Sequence, residues 1–135
     1  MRWNTSTRLA LYAAVEMARA GDGLVTAAGV AEKHGISAHH LAKVLQQLVR
    51  AGIAQAVRGV GGGYRLARPA KEITLLQIVE QFEGTVDLDK CLLQDARSGA
   101  ACGDSAMCRL KRVFDEIDRQ ALFTLQSVRL STVAG

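Results

Sequence analysis

Apolar residues recur at helical spacing along most of this chain. Over residues 6 to 20, Leu9, Tyr12, Ala13 and Met17 share one face, Ser6 is positioned to cap a helix and Gly21 to end it. The run "VTAAGVAEKHG" predicts a short second helix, capped by Thr26 and stopped by Gly35. A third lies in "ISAHHLAKVLQQLVRAG": Ser37 caps it, Leu41, Val44, Leu45 and Leu48 form its apolar stripe, and Gly52 ends it. The pattern then changes. "IAQAVRGVGGGYRLARP" reads as a β-hairpin, with strands Ile53 to Arg58 and Tyr64 to Ala67 around the turn "GVGGG". Pro69, the only proline, closes it. Thr74 and Gln77 have capping-box spacing at the start of "TLLQIVEQFEG", a further helix ending at Gly84. A loop leads to Asp104. The last helix is predicted from Ser105 to Thr132, with Leu110, Val113, Phe114, Ile117, Ala121, Leu125 and Val128 on one apolar stripe. That stripe is too long for a small domain to cover. A second copy of the chain is the natural cover, and a groove in its own domain the competing one.

Two short helices joined by a glycine turn, the second opened by a serine cap, form a helix-turn-helix pattern. The hairpin that follows reads as a wing. The expected fold is therefore mainly α, a winged helix-turn-helix with a long C-terminal dimerisation helix. The expected segments are 1–72 for the winged helix-turn-helix, 73–104 for a linking helix and cysteine loop, and 105–135 for the dimerisation helix. The glycines are not a phosphate loop, because Tyr64-Arg65 follows where Gly-Lys-Ser/Thr is required. They are not a dinucleotide fingerprint either, which needs glycine at position 64.

At 135 residues, with 49% hydrophobic residues, the chain can bury a core as one domain. Aromatics are few, so that core must be aliphatic and suits helices. Glu16 and Arg19 interrupt the N-terminal apolar run, which does not read as a signal peptide. No run approaches a membrane span. A cytoplasmic protein without membrane association is the simplest expectation.

The net charge of +4 is unevenly spread. From Lys33 through Lys71 there is no Asp or Glu, while Lys33, Lys43, Arg50, Arg58, Arg65, Arg68, Lys71 and all three histidines fall inside. The remainder is slightly acidic. One basic segment in an otherwise neutral-to-acidic chain points to a polyanion. A solvated basic face is the plainer reading, and the helix-helix-hairpin order argues for double-stranded DNA. The N-terminal residues of the second helix in such a motif reach base edges, and flanking cations hold phosphates. The candidates are Ser37, His39, His40 and Lys43 on that helix, Arg50 at its end, and Arg58, Gly61, Gly62 and Arg65 in the wing. Adjacent histidines point about 100° apart on a helix, so His39 and His40 need not both touch DNA. A homodimer implies a roughly palindromic operator.

All three cysteines, Cys91, Cys102 and Cys108, lie in "CLLQDARSGAACGDSAMC". Three is an odd number for a disulfide framework, and the C-x10-C-x5-C spacing is not that of a zinc ribbon. The thiols are close enough in sequence to meet at one ion or cluster. Cys108 falls in the first turn of the last helix, where the helix dipole favours the thiolate that binds metal. Unligated small apolar residues are the plain alternative.

The stretches "HGISAHHLAKVLQQLVRAGIAQAVRGVGGGYRLARPAKEITLLQIVE" and "CRLKRVF", with cysteines ahead of the latter, resemble the IscR/NsrR family of bacterial winged-helix transcription regulators. "VRGVGGGYRLARPA" is the most specific part, and Cys102-x5-Cys108 followed by Arg-Leu-Lys is most similar to the nitric-oxide-sensing NsrR branch. The resemblance covers essentially the whole chain. It implies a dimer in which Cys91, Cys102 and Cys108 hold an iron–sulfur cluster, [2Fe-2S] or [4Fe-4S], and the winged helix reads an operator. Two features depart from the family. The Cys91–Cys102 gap is longer than usual. Arg8 and Lys111 stand where family members carry an acidic or histidine fourth ligand. His34, Asp104 or an exogenous group are the remaining fourth-ligand candidates, with His34 also readable as a plain turn residue.

The function expected is thus a repressor-type transcription regulator switched by an iron–sulfur cluster that responds to nitric oxide, redox or iron status. A cluster-free thiol switch or a zinc-stabilised DNA-binding regulator is the alternative. No nucleophile–base pair is visible, and Asp115, Glu116 and Asp118 read as solvated charge on a helix, so no enzyme is expected.

Overall fold

A computed structural model describes residues 3–84 and 105–135. Its elements are α1 (Thr5–Ala20), α2 (Ala27–His34), α3 (Ala38–Arg50), β1 (Ala54–Val57), β2 (Gly63–Leu66), α4 (Leu75–Glu83), α5 (Ser105–Ser127) and α6 (Leu130–Ala134), with a 3-10 turn at Ala70–Glu72. One compact unit comprises the chain through Gly84 together with Leu125–Gly135, and α5 up to Thr124 belongs to a second.

The first unit is built around α1 and α3. Leu9, Ala10, Ala13, Ala14 and Met17 of α1 are buried with Leu41, Val44, Leu45 and Leu48 of α3. Alanines on α1 let the two helices approach closely, which suits a core poor in aromatic residues. Ile53, Ile73, Ile78 and Leu130 complete the cluster. The hairpin pairs Ala54 with Leu66 and Gln55 with Arg65, antiparallel. Three of the four predicted caps are formed: Thr26 accepts from the Gly29 amide at 3.0 Å, Ser37 from His40 at 3.2 Å, and Thr74 with Gln77 closes a capping box.

Three local expectations change. The cap of α1 is Asn4, not Ser6: Asn4 Oδ1 accepts from the Thr7 amide at 2.9 Å. Its backbone N–H and side-chain amide are also held, by Glu83 Oε1 at 2.8 Å and the Phe82 carbonyl at 3.1 Å. The strands are shorter than predicted, Ala54–Val57 and Gly63–Leu66, because the wing turn opens at Arg58; beyond Leu66 a single in-register bond remains, from the Ala67 amide to the Ile53 carbonyl at 2.9 Å. The last long helix ends at Ser127, five residues before Thr132. Arg129 is extended and bridges to Thr74, while the Leu75 amide donates to the Val128 carbonyl and the Leu130 amide to the Ile73 carbonyl. Leu130 is then fully buried. Those backbone bonds and that burial outweigh one further helical turn. α5, taken by itself, exposes Leu110, Val113, Phe114 and Ile117 on one stripe.

Candidate nucleic-acid interface

The turn between α2 and α3 sets the site. Gly35 sits at φ +66°, ψ 37°, a left-handed conformation that glycine adopts without a Cβ penalty. The Ile36 amide reaches back to the Ala31 carbonyl at 3.0 Å, closing the helix end. Ser37 then caps α3.

The apolar stripe of α3 faces α1, so its opposite face is forced outward. His39, Lys43, Gln46 and Arg50 are all exposed and recur at four- and three-residue steps, one stripe along the helix. Gln46 was absent from the sequence-derived candidates. The same spacing from Lys43 would have found it, and glutamine can pair with an adenine edge. Its neighbour Gln47 is committed elsewhere, donating to the Gln81 carbonyl of α4 at 2.6 Å.

The two candidate histidines part company. His39 is exposed, whereas His40 is half-buried with Nε2 3.0 Å from the Ser6 hydroxyl of α1. Ser6, displaced from the capping role, thus links α1 to the outward-facing helix. Ser37 keeps its cap bond while remaining exposed.

The hairpin projects beside α3. Val25 pairs with the outer edge of β2: its amide donates to the Tyr64 carbonyl at 2.9 Å and its carbonyl accepts from the Tyr64 amide at 2.7 Å. Glycine is required at 63 because a Cβ there would lie 2.5 Å from the Val25 oxygen. A Cβ on Gly62 would meet the Val57 oxygen at 2.2 Å, whereas Gly61 is needed for φ +75°. Arg58 is exposed beside this turn. Arg65 is exposed too, its Nε donating to Gln55 Oε1 at 3.2 Å across the strand pair. Gln46, Arg50, Arg58 and Tyr64 line one surface groove between α3 and the hairpin. Two guanidinium groups and no carboxylate in such a groove suit a phosphodiester strand passing between helix and wing.

The metal candidates separate. His34 is half-buried at the end of α2, its Nε2 3.2 Å from Glu16 Oε1 and its ring stacked on Tyr12 at 5.2 Å. Lys33 Nζ lies 2.9 Å from the same Glu16 oxygen. The Lys33 hydrogen bond holds Glu16 below the ordinary carboxylate range; partial burial opposes this and His34 reinforces it. The imidazole therefore serves a clasp between α1 and α2. Cys108 is exposed in the first turn of α5. Cys91 and Cys102 lie outside the described residues.

A model of the Rrf2 family, described as iron-dependent transcriptional regulators, matches residues 3–135. The chain belongs to the Rrf2 family. Among its relatives, BadM of Rhodopseudomonas palustris, named as an HTH-type transcriptional regulator, is 42% identical over 98% of this chain and 81% of its own length. The HTH-type transcriptional regulator IscR of Cereibacter sphaeroides is 35% identical over 98% of this chain and 86% of its own. The solved structure of CymR, the global cysteine regulator of B. subtilis, shares the fold with a TM-score of 0.80 at 23% identity, over 99% of this chain and 96% of that one. IscR of T. potens does so at 0.75 and 24%, over 98% and 86%. This Rrf2-family chain is a winged-helix transcription regulator, as the resemblance to the IscR/NsrR family implied, and its named relatives are transcription regulators, not enzymes. Among the described residues no helix is long and apolar enough to cross a membrane.

Proposed function

We propose that this Rrf2-family chain is a dimeric operator-binding regulator, of repressor type, governed by an iron–sulfur centre on Cys91, Cys102 and Cys108. The observation that carries the DNA-reading half is the exposed stripe His39, Lys43, Gln46 and Arg50, continued across one groove by Arg58. Lys43, Arg50 and Arg58 supply cationic donors to phosphate. His39 and Gln46 supply groups that pair with base edges in the major groove. Gly61 and Gly62 keep the wing tip narrow, and Arg65 extends the cationic surface along it. The exposed Leu110, Val113, Phe114 and Ile117 of α5 support pairing with a second copy, since an apolar stripe of that length costs free energy in water.

The donor chemistry supports the cofactor. Three thiols fall within eighteen residues, and Cys108 stands in the first turn of α5, where the helix dipole favours a thiolate. When bound, such a centre supplies a group that reacts with oxidants or nitric oxide and whose loss frees the three thiolates. The fourth coordination position falls to a group other than these cysteines. His34 competes poorly for it while held by Glu16 and Tyr12.

The segment carrying Cys91 and Cys102 begins directly after α4, and the end of α4 is fastened to the reading head. Gln81 holds Gln47 of α3. Glu83 Oε1 accepts from the Asn4 amide at 2.8 Å and from the buried Thr7 hydroxyl at 2.6 Å. Ser6, between those two residues, holds His40. A shift of α4 therefore reaches α3 by two hydrogen-bonded routes.

Anaerobic purification with iron, sulfide and zinc quantification tests the cofactor. Iron and sulfide that disappear when all three cysteines become alanine support the centre. Zinc without sulfide favours a zinc-stabilised regulator, and neither metal nor sulfide a thiol switch.

A further inference from the structure

Val60 is the most exposed large hydrophobic side chain among the described residues, with a relative exposure of 109%. A lone exposed valine is ordinary on a protein surface. This one stands at the tip of the wing, and the local backbone thrusts it there. Gly59 and Gly61 on either side take φ +99° and +75°. The Gly62 amide returns to the Gly59 carbonyl at 3.0 Å, and crowding against Val57 leaves no room for a side chain at 62. The turn is thus folded back on glycine everywhere except at one branched aliphatic residue, with Arg58 and Arg65 on its flanks and no acid between them.

Resting on the DNA-reading proposal above, the position of this tip has a chemical consequence. α3 fills a major groove, so a hairpin beside it meets the adjacent minor groove, only about 6 Å wide. A tip of glycines with one short side chain fits that width. The minor-groove floor of A·T pairs carries acceptors alone, whereas G·C adds the guanine N2 amino donor. A valine cannot accept from that amino group and occupies the water that would. We propose that Val60 is a specificity-determining residue, disfavouring guanine N2 amino groups at the base pairs beneath the wing tip.

The test begins with enrichment of duplexes from a random-sequence pool by the full chain, both as purified without oxygen and after metal removal. Hydroxyl-radical footprinting then locates the pairs beneath the tip. Those pairs are changed from A·T to G·C or to inosine·C, which has the major-groove edge of G·C but lacks the N2 amino group. The expected result is that G·C weakens binding by about tenfold while inosine·C leaves it near the A·T value. V60T keeps the shape of valine and adds a hydroxyl acceptor, at a position that touches nothing in the fold, and should reduce the G·C penalty to under about threefold. Equal weakening by G·C and inosine·C, or an unchanged penalty in V60T, overturns the assignment. Failure to enrich any duplex overturns the DNA-reading proposal itself, and this one with it.

Discussion

The hydroxyl of Ser6 lies 3.0 Å from Nε2 of His40, joining the first turn of α1 to the outward-facing helix α3. The adjacent His39 makes no such contact and is exposed. Two neighbouring histidines of the same helix turn therefore differ: one is tied to α1, the other is open to solvent.

Substitution separates them. H40A should lower stability by about 1 kcal/mol through loss of a half-buried hydrogen bond. H39A should leave stability within about 0.5 kcal/mol and lower operator affinity instead. Urea unfolding and fluorescence anisotropy on an enriched duplex give the two readouts.

The cationic groups are distinguished by salt. Each of K43A, R50A and R58A should reduce the slope of log affinity against log salt by about 0.9, if each neutralises one phosphate. Q46A should leave the slope unchanged and cost about 1–3 kcal/mol only on duplexes whose contacted base is the preferred one. Titrations across a salt series, on matched and mismatched duplexes, measure both.

Glu16 gives a pH signature. Its carboxyl is held below the ordinary range in the folded chain, chiefly by Lys33. A depressed folded value stabilises above the ordinary carboxyl pKa, and the contribution is lost as pH falls through the depressed value. E16Q should therefore cost about 1 kcal/mol near neutral pH, and the gap to the wild type should close in acid. Urea unfolding of both chains between neutral pH and about pH 3 tests the sign.

Leu130 tests the return of the C-terminus to the core. It is fully buried in the cluster with Ile73 and Ile78. L130A should cost about 2–5 kcal/mol, as a core leucine does, whereas a residue on a free helical tail would cost little. Thermal unfolding distinguishes the two.

Much of this fold was legible because its signals are local. The caps at Thr26, Ser37 and Thr74, the αL glycine at 35 and the amphipathic stripe of α3 each depend on residues within one or two turns. The misses have the opposite character. Asn4 outcompetes Ser6 as a cap because Phe82 and Glu83, nearly eighty residues away, hold it. The stripe through Val128 continues helical spacing, yet pairing of Arg129 with Thr74 ends the helix. At the proposed interface the basic window was legible from sequence, since charge needs no tertiary information, and Lys43, Arg50, Arg58 and Arg65 are exposed. Which histidine faces outward did need it, because Ser6 and His40 are 34 residues apart. Gln46 was missed for a different reason: it carries no charge, and only its place on the Lys43 stripe marks it.

The most direct measurement is operator affinity of the anaerobically prepared chain and of the same chain after metal removal, on the same enriched duplexes at equal salt. The two forms should differ by at least about tenfold on at least one duplex, and the triple cysteine-to-alanine variant should behave as the metal-free form in both states. Equal affinities on every duplex would contradict this, leaving a DNA-binding protein whose cysteines do not govern its grip.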